Sequence, residues 1–576
     1  MKTESSLFCV LFFLVLTLCS IGFVEGKDIN ENFKFIDKDA FEVVTGYVEI
    51  VQVDNFDGLN LETKYYLNNE YGEIGVNFNM KEFPNPGDFI RAKGYFDEEQ
   101  FFIEEYEILE NGESLRGGTN TLGEQRVAVV LVNFQDDSIE PITVDEASNR
   151  IFNEGHFGSL NSWTREVSYG RAWVDGDVYG WYTLQNNSGT ICGVGNMRNA
   201  VKPLIDEDID FREYSVLIIV HPQNNCPYYG ISNIGPVYVV TNEGIVQFST
   251  QILNGIDAID NGLSAHEFGH NLGMRHANDL NCLNVPLGES YCTSIEYGDY
   301  FDIMGAFALT KSHYNVIRKE MLGWLNANEI VVNPSPGIYY LNNLEFLGGI
   351  KSLKFSLIDG NELYAEYRRP VGYDSFFLNY SEGNLLDGLF LRTNEFMSNG
   401  DTQLIDTTPS SSAIEILDSE DVALREGQIF DYLQSNIYFE VVELTDNYAK
   451  VRVGRPVCGD GILDFDLGEQ CDGSDFGGTS CTDVGLNGIF YDGGQLSCRS
   501  DCTFDTNQCT IRASCKWDQD GNGFVNPADR GFVSVMIGCS VGRGNPLCDL
   551  ADVNDDGFVN PGDRGFISAN LGACSA

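Results

Sequence analysis

The stretch His266-Glu267-Phe268-Gly269-His270-Asn271-Leu272-Gly273-Met274-Arg275-His276 decides how the rest of the chain is read. On a helix, His266 and His270 lie four residues apart and project from one face, one turn from each other, as two imidazoles must to share a small cation. Glu267 stands beside them without being a ligand. From there its carboxylate can accept a proton from a metal-bound water, whose pKa zinc lowers toward about 7. Gly273 lets the chain leave the helix through a positive φ, so that His276 folds back as the third ligand. Three protein ligands leave a fourth position open for water and a substrate carbonyl. The expected cofactor is one catalytic Zn2+, with Glu267 as the catalytic residue.

Around this motif, Ile252 to Asn271 reads as the helix that carries it. Upstream, Arg126 to Phe134 and Ser215 to Val220 are apolar runs of buried-strand length, and Val144 to Phe152 has a helical pattern. Strands and helices therefore alternate over 125–325, as in an α+β catalytic domain. Downstream, Tyr297-Gly298-Asp299-Tyr300-Phe301-Asp302-Ile303-Met304-Gly305 places Met304 28 residues past His276. A methionine turn beneath the metal is the second mark of the metzincins. With Gly123 to Phe134, Glu166 to Gly170, Gly180 to Tyr182, Lys319 to Trp324 and Tyr364 to Asp374, the segment resembles the gametolysin-type metallopeptidases. The resemblance implies a zinc-dependent endopeptidase with His266, His270 and His276 as ligands, Glu267 as base and Met304 in the turn. Many members of that family carry Gln at the first ligand position, where this chain has His266. His313 reads as structural, with donation to the oxyanion as the alternative. His156 and His221 read as structural.

Before the catalytic segment, residues 27–112 hold five short strand patterns, Phe41 to Val53, Leu61 to Leu67, Glu73 to Phe78, Asp88 to Phe96 and Gln100 to Leu109. They predict a small β-barrel laid out like an OB fold, acting as a pro-segment or an accessory domain. The polar, Gly-rich linker 113–124 contains Arg116, a candidate processing point. After the catalytic segment, residues 326–455 read as a β-sandwich and 456–510 as a small cysteine-rich module that needs disulfides to hold it.

Residues 511–576 contain a duplication. Asp518, Asp520, Asn522, Phe524, Asn526 and Asp529 have calcium-loop spacing, repeated as Asp552, Asn554, Asp556, Phe558, Asn560 and Asp563. The pair resembles a dockerin, which implies two structural Ca2+ ions and a cohesin-like protein partner. The alternative is a calcium-stiffened tail without a partner. The expected architecture is thus multidomain: an α+β metzincin-like zinc metallopeptidase domain flanked by the OB-like barrel, the β-sandwich, the disulfide-rich module and the dockerin-like double calcium loop.

The chain has 576 residues, with 35 Lys and Arg against 86 Asp and Glu, a net charge of −51. Repulsion of that size disfavours nucleic-acid partners. Met1 to Gly26, with an apolar run from Leu7 to Val24, reads as a cleaved secretory signal, an uncleaved anchor being the competing reading. No second apolar run is long enough to span a membrane. Beyond that signal lie 14 of the 16 cysteines, as expected in an oxidising compartment. Candidate pairs are Cys192–Cys226, Cys282–Cys292, Cys515–Cys539 and Cys548–Cys574, the last two because each would flank one repeat. No cysteine lies between residues 27 and 191, so the barrel cannot supply a thiolate to the metal. Two functions are compatible with these features. One is a secreted endopeptidase acting on extracellular proteins or glycoproteins, tethered at the cell surface through its tail. The other is a surface-anchored binding or adhesion protein with an inactive peptidase domain.

Overall fold

The structure is a computed structural model. It describes residues 41–111 and 121–573, apart from 56–61, 70–71, 81–82, 98–99, 261, 283–284, 289–291, 306–310, 380–385, 387, 395–400, 410–421, 455–457, 460–462, 464, 466–468, 485–490, 512–516, 519–523 and 542–545. The expected signal, the candidate processing point at Arg116, and Cys515, Asp520, Asn522 and Cys574 lie outside the described residues. The chain divides into two compact units, 1–331 with 342–423, and 332–341 with 424–576.

In the first unit, β1 (Glu42–Asp54), β2 (Glu62–Asn69), β3 (Gly72–Phe78), β4 (Phe89–Asp97) and β5 (Gln100–Glu110) close into a five-stranded barrel in ring order β1-β2-β3-β5-β4. Its interior holds Val48, Ile50, Leu67, Val76, Ile90, Ala92, Phe101 and Ile103. Val48 and Ile50 flank Glu49, and Ile90 and Ala92 flank Arg91, the inward and outward alternation a barrel requires. The barrel is continuous with the catalytic segment. The far end of β1 pairs antiparallel with β9 (Gly230–Asn233), matching Val51 with Asn233 and Asp54 with Gly230. Val51 and Val53 enter the same core as Val130, Val132, Ile219 and Ile252, each worth about 1.5–3 kcal/mol on burial.

The sheet continues from β9 through β11 (Gly244–Asn254), β8 (Val216–His221), β6 (Gly123–Phe134) and β7 (Ala172–Leu184), with β10 (Val237–Thr241) on β11. Strands β11, β8, β6 and β7 run parallel, and β9 is antiparallel to them. Burial on both faces explains the unbroken apolar runs of β6 and β8. Helices α1 (Val144–Phe152), α2 (Leu160–Val167) and α3 (Val194–Ile205) accompany this sheet. Strand β6 starts at Gly123, inside the expected linker.

Two expectations are corrected here. Ile252 to Asn271 is not one helix: Ile252 and Leu253 complete β11, Gly255 turns at φ 103°, and the motif helix α4 is Leu263–Asn271. Parallel pairing with Ile219 and Val220 of β8 claims the apolar residues that periodicity alone would give to a helix. Nor does 326–455 form one sandwich. A seven-stranded sheet runs β13-β12-β19-β18-β17-β16-β14, where β12 (Ala277–Asn281) and β13 (Thr293–Ile295) come from the catalytic segment. The others are β14 (Ile330–Val332), β16 (Ser352–Ser356), β17 (Glu362–Arg368), β18 (Gly388–Thr393) and β19 (Thr402–Ile405). Strand β12 follows His276 and pairs in parallel with β19, so the expected boundary at 325 falls inside a continuous structure.

The second unit contains a four-stranded sheet of β15 (Gly337–Asn342), β22 (Tyr448–Val453), β21 (Ile437–Leu444) and β20 (Ile429–Tyr432). Disulfides Cys458–Cys502, Cys471–Cys498 and Cys481–Cys509 staple the next segment, which has few apolar side chains to bury. In the tail, the helices Pro527–Met536 and Pro561–Ala569 each start at an Asn cap, Asn526 and Asn560. Val525, Val533, Ala551, Val553, Val559 and Ile567 form a shared core. Among the described residues of the tail Cys539 is bonded to Cys548, against the expected Cys515–Cys539 and Cys548–Cys574. Packing of the two repeats against each other brings the end of the first helix to the start of the short helix Pro546–Ala551, so the bond bridges the copies.

Candidate metal centre

Helix α4 ends in a Schellman turn: the Gly273 N–H donates to His270 O (2.8 Å), the Met274 N–H donates to Gly269 O (3.0 Å), and Gly273 has φ 93°. That reversal carries His276 back over the helix. Gly269 would ordinarily weaken a helix by about 1 kcal/mol relative to Ala. Here a Cβ would lie 2.4 Å from Met304 Sδ, so the glycine makes the room in which the methionine turn sits beneath the histidines.

All three imidazoles are buried and fixed from behind. His266 Nδ1 lies 2.7 Å from Ile303 O, His270 Nδ1 2.7 Å from Met274 O, and His276 Nδ1 2.7 Å from Glu296 Oε1. Carbonyl oxygens only accept, so the Nδ1 atoms of His266 and His270 carry the protons and their Nε2 atoms face inward as lone pairs. Those two Nε2 atoms are 3.2 Å apart. A tetrahedral zinc with Zn–N bonds of about 2.0–2.1 Å spaces its donors by roughly 3.3 Å.

The fourth side chain in the cluster comes from the barrel. Asp54, at the end of β1, places Oδ1 2.9 Å from His276 Nε2, and Oδ2 3.3 Å from His270 Nε2 and 3.7 Å from His266 Nε2. The Tyr297 hydroxyl donates to Oδ1, and its ring lies 3.8 Å from that of His276. Asp54 Oδ2 is fully buried and receives no hydrogen bond from the described residues. Imidazole lone pairs and a carboxylate oxygen thus face one another, a donor set that calls for a cation and fits zinc. Burial pushes His270 down to about 4, which keeps it neutral as a ligand must be.

Glu267 is also fully buried. Ser232 of β9 donates to its Oε2 (2.6 Å), and Oε1 has no hydrogen-bond partner among the described residues. Burial first, and then the Asp54 charge, raises its carboxyl well above the ordinary range, which a bound cation would oppose. Gly230, opposite Asp54 in the β1–β9 pairing, lets the backbone pass this carboxyl. A Cβ there would fall 1.8 Å from Oε1.

The methionine turn is clamped by the second sheet. Arg392 of β18 binds Asp299 (2.6 and 3.1 Å) and Glu366, while Arg368 binds Asp374 (3.0 and 2.6 Å) and the Phe301 carbonyl. Asp302 accepts from the Met304 N–H (2.8 Å) and the Asn315 N–H (2.7 Å). Disulfides Cys192–Cys226 and Cys282–Cys292 are formed, the second after β12. The His313 ring is held within the fold: Nε2 is 3.1 Å from Glu166 Oε1, and Nδ1 is 3.0 Å from the Lys319 ammonium, so both ring nitrogens are engaged, as a structural role requires. His221 packs against Phe134 and Tyr228 in the core. His156 is half-buried.

In the tail, carboxylate oxygens of Asp552, Asp556 and Asp563 lie within 4.8 Å of one another, and Asn554 Nδ2 donates to Asp556 (3.0 Å). Asn560 Nδ2 donates to Asp556 (2.8 Å) and to Phe558 O (3.1 Å). In the first loop, Asn526 Nδ2 donates likewise to Phe524 O (3.1 Å), and the Asn526 N–H donates to Asp529 (2.7 Å). Asp518 is half-buried.

Asp54, Ser232, Gly230 and Glu296 are absent from the sequence-derived site. Asp54 is one of 20 acidic residues in 27–112, and no motif marks it. Among the described residues no helix is long and apolar enough to cross a membrane. The disulfides are consistent with an extracellular protein. The chain matched none of the curated proteins with which it was compared. A family model described as "Metallo-peptidase family M12B Reprolysin-like" matches residues 181–277, from β7 through the three histidines, and supports a zinc metallopeptidase.

Proposed function

We propose that the chain is a secreted zinc endopeptidase of the gametolysin type, acting on extracellular proteins or glycoproteins. The observation that carries this reading is the inward convergence of the His266, His270 and His276 Nε2 atoms, with Glu267 next to them and held by Ser232. Zinc, when bound, supplies Lewis acidity, lowering the pKa of water and polarising the scissile carbonyl. Glu267 takes the proton of the attacking water and passes it to the leaving amine. Ser232 fixes the carboxyl for that transfer, and the Nδ1 partners of the imidazoles fix the ligand orientation. Met304, in the space left by Gly269, packs the floor.

The barrel acts as a pro-segment, removed by a cut near Arg116. The tail is a dockerin-like module that holds two Ca2+ ions and docks on a cohesin-like protein. Its support is the convergence of Asp552, Asp556 and Asp563 and the matching Asn caps of the two copies. Zinc content and casein hydrolysis of wild type and Glu267→Ala, measured on protein cut near Arg116, test the peptidase reading. The variant keeps one zinc and loses at least about a hundredfold in turnover. Equal turnover by the two would overturn the mechanism. Calorimetry with calcium tests the tail: the expected result is two sites, both lost in Asp518→Ala with Asp552→Ala.

A further inference from the structure

The barrel reaches the metal centre with a side chain of its own, and the route by which it does so is built rather than incidental. Strand β1 fills the free edge of β9, the strand whose Ser232 and Gly230 flank Glu267. An extended peptide that presents its carbonyl between the histidines and Glu267 would need that same edge, because unpaired strand edges bind extended chains through backbone hydrogen bonds. Four residues, Val51 to Asp54, are paired there instead. Behind them, Arg198 of α3 holds the Glu49 carboxylate with both terminal nitrogens (3.2 Å each), and Asn233 Nδ2 donates to it (2.7 Å). Glu49 and Arg198 are 1% and 3% exposed, so the pair is a buried anchor of the kind that costs several kcal/mol to break from one side. Ahead of them, Asp54 sits among three Nε2 atoms, with Oδ1 held by the Tyr297 hydroxyl and His276 Nε2 and Oδ2 without a donor among the described residues.

We propose that Asp54 is a fourth protein ligand of the metal, and that β1 lies in the substrate's strand position, so that the chain with its barrel attached is latent. This rests on the zinc reading of the three histidines. The carboxylate takes the coordination position that a catalytic site keeps for water, and β1 takes the backbone pairing that a substrate would make. Release requires β1 to leave β9, which breaks the Glu49–Arg198 pair and withdraws Val51 and Val53 from the core together.

The test needs no turnover. Full-length protein is loaded with cobalt(II) in place of zinc, and its visible absorption is followed while acetohydroxamate, a small oxygen chelator that needs free coordination positions, is titrated in. Asp54→Ala should respond to acetohydroxamate with an apparent affinity about a hundredfold higher than wild type, as expected if the wild-type site is open about 1% of the time. Its cobalt spectrum before addition should also differ from that of wild type, since one protein oxygen is lost from the metal. Asp54→Asn keeps the shape and an acceptor for Tyr297, and carries the same test with a neutral oxygen if the alanine variant does not fold. Equal affinities and superimposable spectra for wild type and either folded variant would overturn the assignment. Because the readout is ligand binding, that failure would leave the Glu267→Ala comparison untouched. Loss of the Glu267 effect would in turn leave this titration valid.

Discussion

Gly230→Ala is the sharpest test of how β9 positions the general base. The added Cβ would lie 1.8 Å from Glu267 Oε1, 2.5 Å from Cδ and 2.8 Å from Cγ. Turning the carboxyl plane relieves only the first contact, so the end of the side chain must withdraw by roughly 1.5 Å to regain van der Waals distance. Strand β9 cannot give way easily, since Gly230 pairs with Leu253 of β11. A catalytic group displaced by about 1 Å can cost about 10²-fold, and a general base contributes about 10²- to 10⁴-fold in all. In protein cut near Arg116, kcat on casein or a quenched peptide should therefore fall at least about 10²-fold, and no further than in Glu267→Ala. Zinc stoichiometry should stay at one, because the carbonyl partners of His266 and His270 and the Glu296 partner of His276 are not disturbed. The double variant should be no slower than Glu267→Ala alone, since both changes remove the same function. A Gly230→Ala enzyme within about threefold of wild type, or a double variant with additive losses, would refute the idea that this glycine exists to seat the base.

Three further outcomes are expected from the structure. Arg392→Met leaves Asp299 buried without its cation and Glu366 with Arg368 alone at 3.9 Å, and should cost about 3–5 kcal/mol in denaturant titration. Removal of the metal by chelator should lower the melting temperature, and restored zinc at a hundred times its Kd should return about 2.7 kcal/mol. Peptide mapping of the unreduced tail should recover Cys539 linked to Cys548, and replacing both with Ser should destabilise it by about 2–3 kcal/mol.

Much of the candidate metal centre is legible in the sequence because its geometry is local. His266 and His270 share a helix face, and Gly273 announces the reversal that returns His276. Strand β4 of the barrel is also legible, since it buries one face, Ile90 and Ala92 inside and Arg91 and Lys93 outside, and the alternation survives. What escapes a linear reading depends on pairing between distant segments. Ile252 and Leu253 look as apolar in a strand as in a helix, and β8 and β9 decide the matter. Asp54 is indistinguishable in sequence from its acidic neighbours. It acquires its role only when β1 is laid on β9. Excluding a barrel thiolate, as the cysteine positions do, says nothing about a carboxylate. In the tail, equal flanking of the repeats points to bonds within each copy, whereas packing between the copies brings Cys539 to Cys548.

The parallel pairing of β12 with β19 has a practical meaning for anyone wishing to excise the enzyme. A fragment ending at 325 would carry every residue of the zinc motif and still lack Arg368, Arg392 and Asp374, stranding Asp299 beneath the methionine turn with no counter-charge. The smallest heritable piece able to keep its histidines aligned therefore extends to about residue 423, and recombination that swaps appendages in this architecture should tolerate breakpoints after that position far better than before it.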